Sequence, residues 1–171
     1  MSSPAEKILP KMEETRAELL SFVEGLDRAA LTWRPPDGGW SMRDNLAHLA
    51  DAERAHRRFV GAVLGGRSTR LEGFDLDRWN AEHVGRRAGQ SLDEIVADMR
   101  AQRQETLAFI AALPEDAWDE QGDHPALGRV SVHQVIRVIG VHERMHLKEM
   151  LRLWEAQQAS HQSMQRVTKG S

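Results

Sequence analysis

The sequence predicts an all-α protein built as a four-helix bundle, and three observations carry that prediction. A Ser followed three residues later by an acid or amide, the capping-box spelling, occurs four times and each time heads an amphipathic run. No segment sustains the alternation of apolar and polar residues that marks a half-buried strand. The chain breakers gather between the runs, in "RPPDGGW", "GGRSTR" and "DHPALGR".

The first helix opens at Ser3-Pro4-Ala5-Glu6, with Pro at the first helical position, where its missing N–H costs nothing. Its stripe is Ile8, Met12, Thr15, Leu19, Phe22 and Leu26, and Gly25 lies near its end. The second opens at Ser41-Met42-Arg43-Asp44 and runs to about Leu64, closed by Gly65-Gly66. The third opens at Ser91-Leu92-Asp93-Glu94 and runs through Ile95, Met99, Thr106 and Ile110 to Leu113, before Pro114. The fourth opens at Ser131-Val132-His133-Gln134. Four stripes at heptad-like spacing are best buried against one another in a bundle. The connection from Gly65 to Gln90 is long for a bundle, and "FDLDRWNAEHVGRR" inside it reads as a short helix; long connections often line binding sites. Residues 1–155 read as the bundle domain, and 156–171 as a polar tail, frayed or disordered because it lacks a second apolar face.

At 171 residues the chain is sized for one core. It contains no cysteine, which excludes disulfides, thiolate ligands and a cysteine nucleophile, so any reacting sulfur must come from outside. The N-terminus lacks a basic region followed by an apolar run, and no stretch reaches membrane-span length; a cytoplasmic protein is expected. A net charge of -3 gives no basic field, and Arg54, Arg57 and Arg58 read as a solvated helix face, so nucleic acid is not expected as a partner.

The fourth stripe runs Val132, Val135, Ile139, His142, His146, Met150 and Leu153, which places two histidines at core positions four residues apart. Side chains so spaced are offset by about 40° and ~6 Å of rise, so both imidazoles can converge on one ion. On the second helix the inward stripe through Asn45, His48, Ala52, Ala55 and Phe59 carries a third, and small Ala52 leaves room beside it. A lone inward His is more often a hydrogen-bonded core residue, but three in one small core lack neutral partners among Val, Ile and Ala, and a shared divalent metal satisfies all three. His56, on a helix flank, His83 and His124 in connections, His133 in a first turn and His161 in the tail are left out of the ligand set.

His142-Glu143-Arg144-Met145-His146 is also the H-E-x-x-H string of zinc metalloproteases. The context argues against a protease: there is no substrate-aligning strand, Glu149 stands at the metzincin Gly position and points away from the pair, and neither it nor Glu155 makes a convincing third ligand. Glu143 is the candidate catalytic acid or base, one residue round from the ligand face, unless it is a solvated helix acid. Trp33, Trp40, Phe74 and Trp79 are candidate pocket walls, although such rings at helix ends are more often core plugs.

"PPDGGWSMRDNLAHLADAERAH", with Trp40-Ser41 introducing a helix and His48 seven residues after the cap, resembles the second-helix opening of the DinB-like (YfiT-like) metalloenzymes. "GRVSVHQVIRVIGVHERMHLKEM" is similar to that family's last helix with its His-x-x-x-His pair, and the resemblance spans about Ile8 to Leu153. It implies a four-helix bundle, often a homodimer, holding nickel, zinc or iron through His48, His142 and His146. It also implies kinship with transferases that use low-molecular-weight thiols, of the bacillithiol or mycothiol type, and with a thiol-dependent isomerase whose extra C-terminal domain is not seen here. Two classes stay open: a metalloenzyme, either a thiol-dependent S-transferase or a hydrolase, acting on an unknown small molecule, and a non-catalytic, stress-related bundle whose ion is structural.

Overall fold

The computed structural model describes residues 3–169, with side chains placed through Gln165. Four long helices, α1 (Pro4–Glu24), α3 (Met42–Leu64), α5 (Leu92–Ala111) and α6 (Val132–Lys169), form the bundle. Shorter elements fill the connections: α2 (Arg28–Thr32), α4 (Leu76–Arg86), a 3-10 turn (Glu115–Asp119) and the strands β1 (Gln121–His124) and β2 (Gly128–Ser131).

Each long helix starts at its expected cap. The Ser3, Ser41 and Ser91 hydroxyls accept from the backbone N–H three residues on, and Glu6, Asp44 and Glu94 reach back to the cap N–H. At Ser131 the reciprocal pair is with Gln134. Glycines end the first two: Gly25 caps α1 and Gly65 caps α3, with Gly66 at φ +64° turning the chain out.

α3 packs on α5 and α6, and α1 packs on α6 and α5, so α1 lies diagonally opposite α3. The N-terminal halves of α3 and α5 share one core cluster with the C-terminal half of α1 and the middle of α6, as Leu46, Ile95, Leu19 and Leu147 show. The pair α3 and α5 is therefore parallel, and the chain must return the length of the bundle between them. α4 travels in that return, and Arg87 at its end fastens it by pairing with Asp51 of α3 and Asp98 of α5.

Two apolar clusters make the core, one around Leu19, Leu46, Ile95 and Leu147, the other around Met12, Val60, Ile110 and Ile136. Between them lies a layer of charge, one residue from each long helix: Arg16, Glu53, Arg103 and Glu143. Arg16 Nε donates to Glu143 Oε1 and its Nη2 to Glu53 Oε2 at 2.7 Å; Arg103 Nε donates to Glu53 Oε1 at 2.9 Å and its Nη2 to Glu143 Oε2 at 2.7 Å. Met99 and Met12 carbonyls take further guanidinium protons. The layer is neutral overall and its groups are bonded, which is the condition for burying charge at tolerable cost.

Two expectations need correction. The "DHPALGR" connection is not a plain loop but an antiparallel hairpin, Gln121 opposite Ser131 and His124 opposite Gly128. Its strands are four residues long, too short to print an alternation pattern, and Gly122 is needed because a Cβ there would lie 2.6 Å from a Val63 methyl. The polar tail is also not a frayed end from residue 156: α6 continues to Lys169. Its Glu, Gln and Ala content has good helix propensity, so a continuing helix needs no apolar face of its own. The tail's last residues, 170–171, lie outside the described part. No helix among the described residues is long and apolar enough to cross a membrane.

Candidate metal centre

α3 and α6 run antiparallel in contact, and their inward stripes bring His48, His142 and His146 together. One nitrogen from each ring lies within 4.8 Å of the other two. His142 Nε2 is the hinge of the cluster, 3.0 Å from His146 Nε2 and 3.2 Å from His48 Nε2.

The proton on His146 can be placed from its neighbours. Asn45 Nδ2 donates to the Ser41 carbonyl at 2.9 Å, which turns Asn45 Oδ1 onto His146 Nδ1 at 2.7 Å. Nδ1 therefore carries the hydrogen, and Nε2 offers its lone pair to the cluster. His142 Nε2 faces two nitrogens at once. A proton there serves one contact well, and a lone pair there confronts the lone pair of His146, so hydrogen bonding among neutral rings leaves one short contact unmet. A divalent cation accepts all three lone pairs. Nitrogen ligands about 2.0–2.1 Å from one ion stand about 3 Å from each other, the spacing of the two pairs that His142 makes.

Electrostatics keep the rings neutral. Burial, and then the neighbouring His142 and His146 rings, push His48 down to about 3; burial and then His142 push His146 down to about 4; burial lowers His142. Neutral imidazole is the form that binds metal. Trp40 lies over the cluster, stacked at 21° to His146 and 5.1 Å from the His48 ring centre.

Beside the histidines opens a cavity of about 660 Å³, bounded by α3, α6, the Gly65–Gln90 connection with α4, and the hairpin turn. Trp40, Phe74 and Trp79 line it, so three of the four candidate aromatics are cavity walls rather than core plugs, and Trp33 is not among its lining residues. Thr69 ties the connection to the hairpin by accepting the Asp123 N–H at 2.9 Å.

Glu143 is neither a solvated helix acid nor turned toward the histidines. It is 2 % exposed, and its two oxygens are taken by Arg16 and Arg103. The reason is rotational: the residue beside His142 on α6 faces the bundle axis, where α1 and α5 present arginines. Glu149 meets His146 at Nδ1, 3.3 Å away, the nitrogen facing away from the cluster. The arrangement a zincin needs, with the motif acid beside the metal pair, is thus not assembled.

Of the histidines left out of the ligand set, His83 stacks on Trp79, His133 packs against Trp118 and His161 is exposed on α6. His56 and His124, however, both line the cavity, with ring centres 5.3 Å apart, and His56 Nδ1 is buried without a hydrogen-bond partner. The signal was present: His56 follows Ala52 by four residues on the same stripe as His48. Asn45 was likewise visible as a polar residue on that stripe, without its role being legible.

Comparison with known proteins identifies the fold and the family. The chain is 26 % identical over 152 residues to the uncharacterized protein YuaE of Bacillus subtilis (strain 168), covering 83 % of this chain and 94 % of that one. Its fold matches YfiT from Bacillus subtilis, described as a probable metal-dependent hydrolase with an unusual four-helix bundle topology, at TM-score 0.71 and 19 % identity, covering 89 % of this chain and 86 % of that one. It also matches TT2238, a four-helix bundle protein, at TM-score 0.64 and 22 % identity, covering 86 % and 98 %. Residues 11–150, most of the folded chain and all three clustered histidines, match the DinB superfamily, and the chain belongs to that superfamily.

Proposed function

We propose that the protein is a metal-dependent enzyme acting on a small organic substrate, with His48, His142 and His146 holding a divalent ion. The observation that carries the reading is the convergence of three neutral imidazoles at one side of a cavity of about 660 Å³. That volume suits a small-molecule ligand, and three protein ligands leave positions open on the cavity side, as catalytic rather than structural sites do. The donor set suits zinc, nickel or iron. An ion held there supplies Lewis acidity, activating a water or thiol nucleophile or polarising a carbonyl.

The chain's own residues do the rest. Asn45 holds the His146 proton on Nδ1 and so keeps Nε2 free. Trp40 and Trp79 flank His48 and exclude water from that side. Glu143 acts through the charge layer that sets the spacing of the helices, and has no proton-transfer role in this reading.

Hydrolysis is the favoured reaction, since YfiT, with which the fold is shared, is described as a probable metal-dependent hydrolase. Thiol transfer differs only in the nucleophile, whose sulfur would arrive on a bacillithiol- or mycothiol-type cosubstrate because the chain has no cysteine. The test is metal analysis of untagged protein purified without added metal, followed by turnover of an ester and amide panel with and without small thiols. A stoichiometric divalent ion and turnover lost in His142→Ala support the reading, with thiol dependence assigning the transferase version. Unchanged turnover after chelation, or in His142→Ala, contradicts it.

A further inference from the structure

The cavity has a direction. His48, Ala52, Phe59 and Ala62 of α3 all face it, and from His48 to Ala62 the helix rises about 21 Å. It is therefore a long slot along α3 with the histidines at one end. Its walls are mainly apolar, and large apolar side chains stand exposed at its rim: Leu71 at 57 %, Met145 at 55 %, Leu76 and Leu127 at 44 %. A collar of that kind around a cavity marks a binding site for an apolar body.

Charge in the slot is confined to one place. Arg58 is the one Lys, Arg, Asp or Glu among the lining residues. Its helix neighbours are paired, Arg54 with Asp98 and Arg57 with Glu105, whereas no described acid pairs with Arg58. Arg58 lies about 15 Å along α3 from His48. The adjoining stretch adds Arg67 and Arg70, also without an ion pair among the described residues, and the acids Glu72, Asp75 and Asp77, none of which lines the slot. The one charged group of the lining is therefore the Arg58 guanidinium, remote from the three clustered histidines. Three uncharged polar atoms of lining residues, His48 Nδ1, His56 Nδ1 and Asn80 Oδ1, are buried without partners.

We propose that the slot takes an elongated organic carboxylate, its apolar body against Phe74 and Trp79, its carboxylate at Arg58, and its far end, the reacting one, at the histidines. Arginine suits this, because its planar fork matches a carboxylate. The identity of the reacting end rests on the reading of the histidines as a metal site; the grip on the body and the acid does not.

The experiment measures binding of 11-(dansylamino)undecanoic acid and its methyl ester to the full chain, read by energy transfer from tryptophan, in metal-loaded and metal-free protein. The acid should bind about fivefold more tightly than the ester, the size of one partly exposed ion pair. Arg58→Gln should abolish that preference, which is a clean change at an exposed side chain. Phe74→Ala should weaken both probes, and the preference should persist without metal and in His142→Ala. Equal binding of acid and ester, a preference surviving in Arg58→Gln, or no binding of either probe overturns the proposal. A preference that disappears with the metal also overturns it, since the carboxylate then sits at the histidines. Persistence in His142→Ala upholds the slot even if the enzyme reading fails, and a proven metal site with no acid preference sinks the slot alone.

Discussion

Replacing Glu143 by Gln separates a structural carboxylate from a catalytic one. The side chain keeps its shape, but the buried layer passes from neutral to a net charge of +1, because Arg16 and Arg103 each lose a charged acceptor while Glu53 remains their one shared carboxylate. Charge-assisted hydrogen bonds contribute about 1.5–3 kcal/mol each, so losing two gives about 3–6 kcal/mol. Breaking a buried ion pair from one side costs a similar 3–5 kcal/mol. A loss of about 3 kcal/mol in a chain of this size lowers Tm by roughly 10 °C. The assay is urea and thermal unfolding of metal-free wild type and Glu143→Gln, with Glu149→Gln on the exposed face as reference. A large loss in metal-free protein places Glu143 in the frame. A change under about 0.5 kcal/mol together with lost turnover would refute that reasoning and restore it as the acid or base.

Three further outcomes follow from the geometry. Asn45→Ala frees the His146 tautomer and should weaken metal binding about 10- to 100-fold, with Asn45→Asp recovering most of it; titration with a chelator-buffered metal measures this. Metal-free protein should lose stability on acidification: His48, His56 and His146 fall from 6.5 to about 3, 3 and 4, so below pH 6.5 the unfolded chain binds protons that the folded chain refuses. Their contribution is full above 6.5 and declines as pH falls toward 3, by up to about 1.4 kcal/mol per pH unit per histidine, seen as a falling urea midpoint. Gly140→Ala, which in most helices stabilises, should here cost about 1 kcal/mol in the same unfolding assay, since the new Cβ would lie 2.8 Å from Met12 Cγ where α6 meets α1.

The bundle was legible because its signals are local. A capping box is spelled within four residues, and Ser3, Ser41, Ser91 and Ser131 each begin a helix as read. The three histidines were legible because helical periodicity fixes which face a residue occupies. What stayed hidden depends on long-range pairing. Arg16 follows Met12 by four residues and Arg103 follows Met99 by four, both on apolar stripes, yet only the approach of Glu53 and Glu143 from other helices tells a buried arginine from a solvated one. The surroundings of Glu143 were hidden for the same reason: its neighbours in sequence are ligand candidates, but its neighbours in space are arginines. The cavity walls were half visible, since Trp40 and Trp79 stood out, but whether a ring plugs a core or lines a slot is decided by how α4 returns across α3.

The most direct test of the three-histidine centre is a set of thermal melts of wild type, His48→Ala and Glu149→Ala, each with and without zinc or nickel. A metal bound only by the folded state at 100 times its Kd adds about 2.7 kcal/mol, which raises Tm by roughly 5–10 °C in a chain of this length. If α3 and α6 hold the ion jointly, that rise appears in wild type and in Glu149→Ala and is absent in His48→Ala. A rise that survives in His48→Ala and disappears in Glu149→Ala would place the metal on α6 alone and contradict the centre described here.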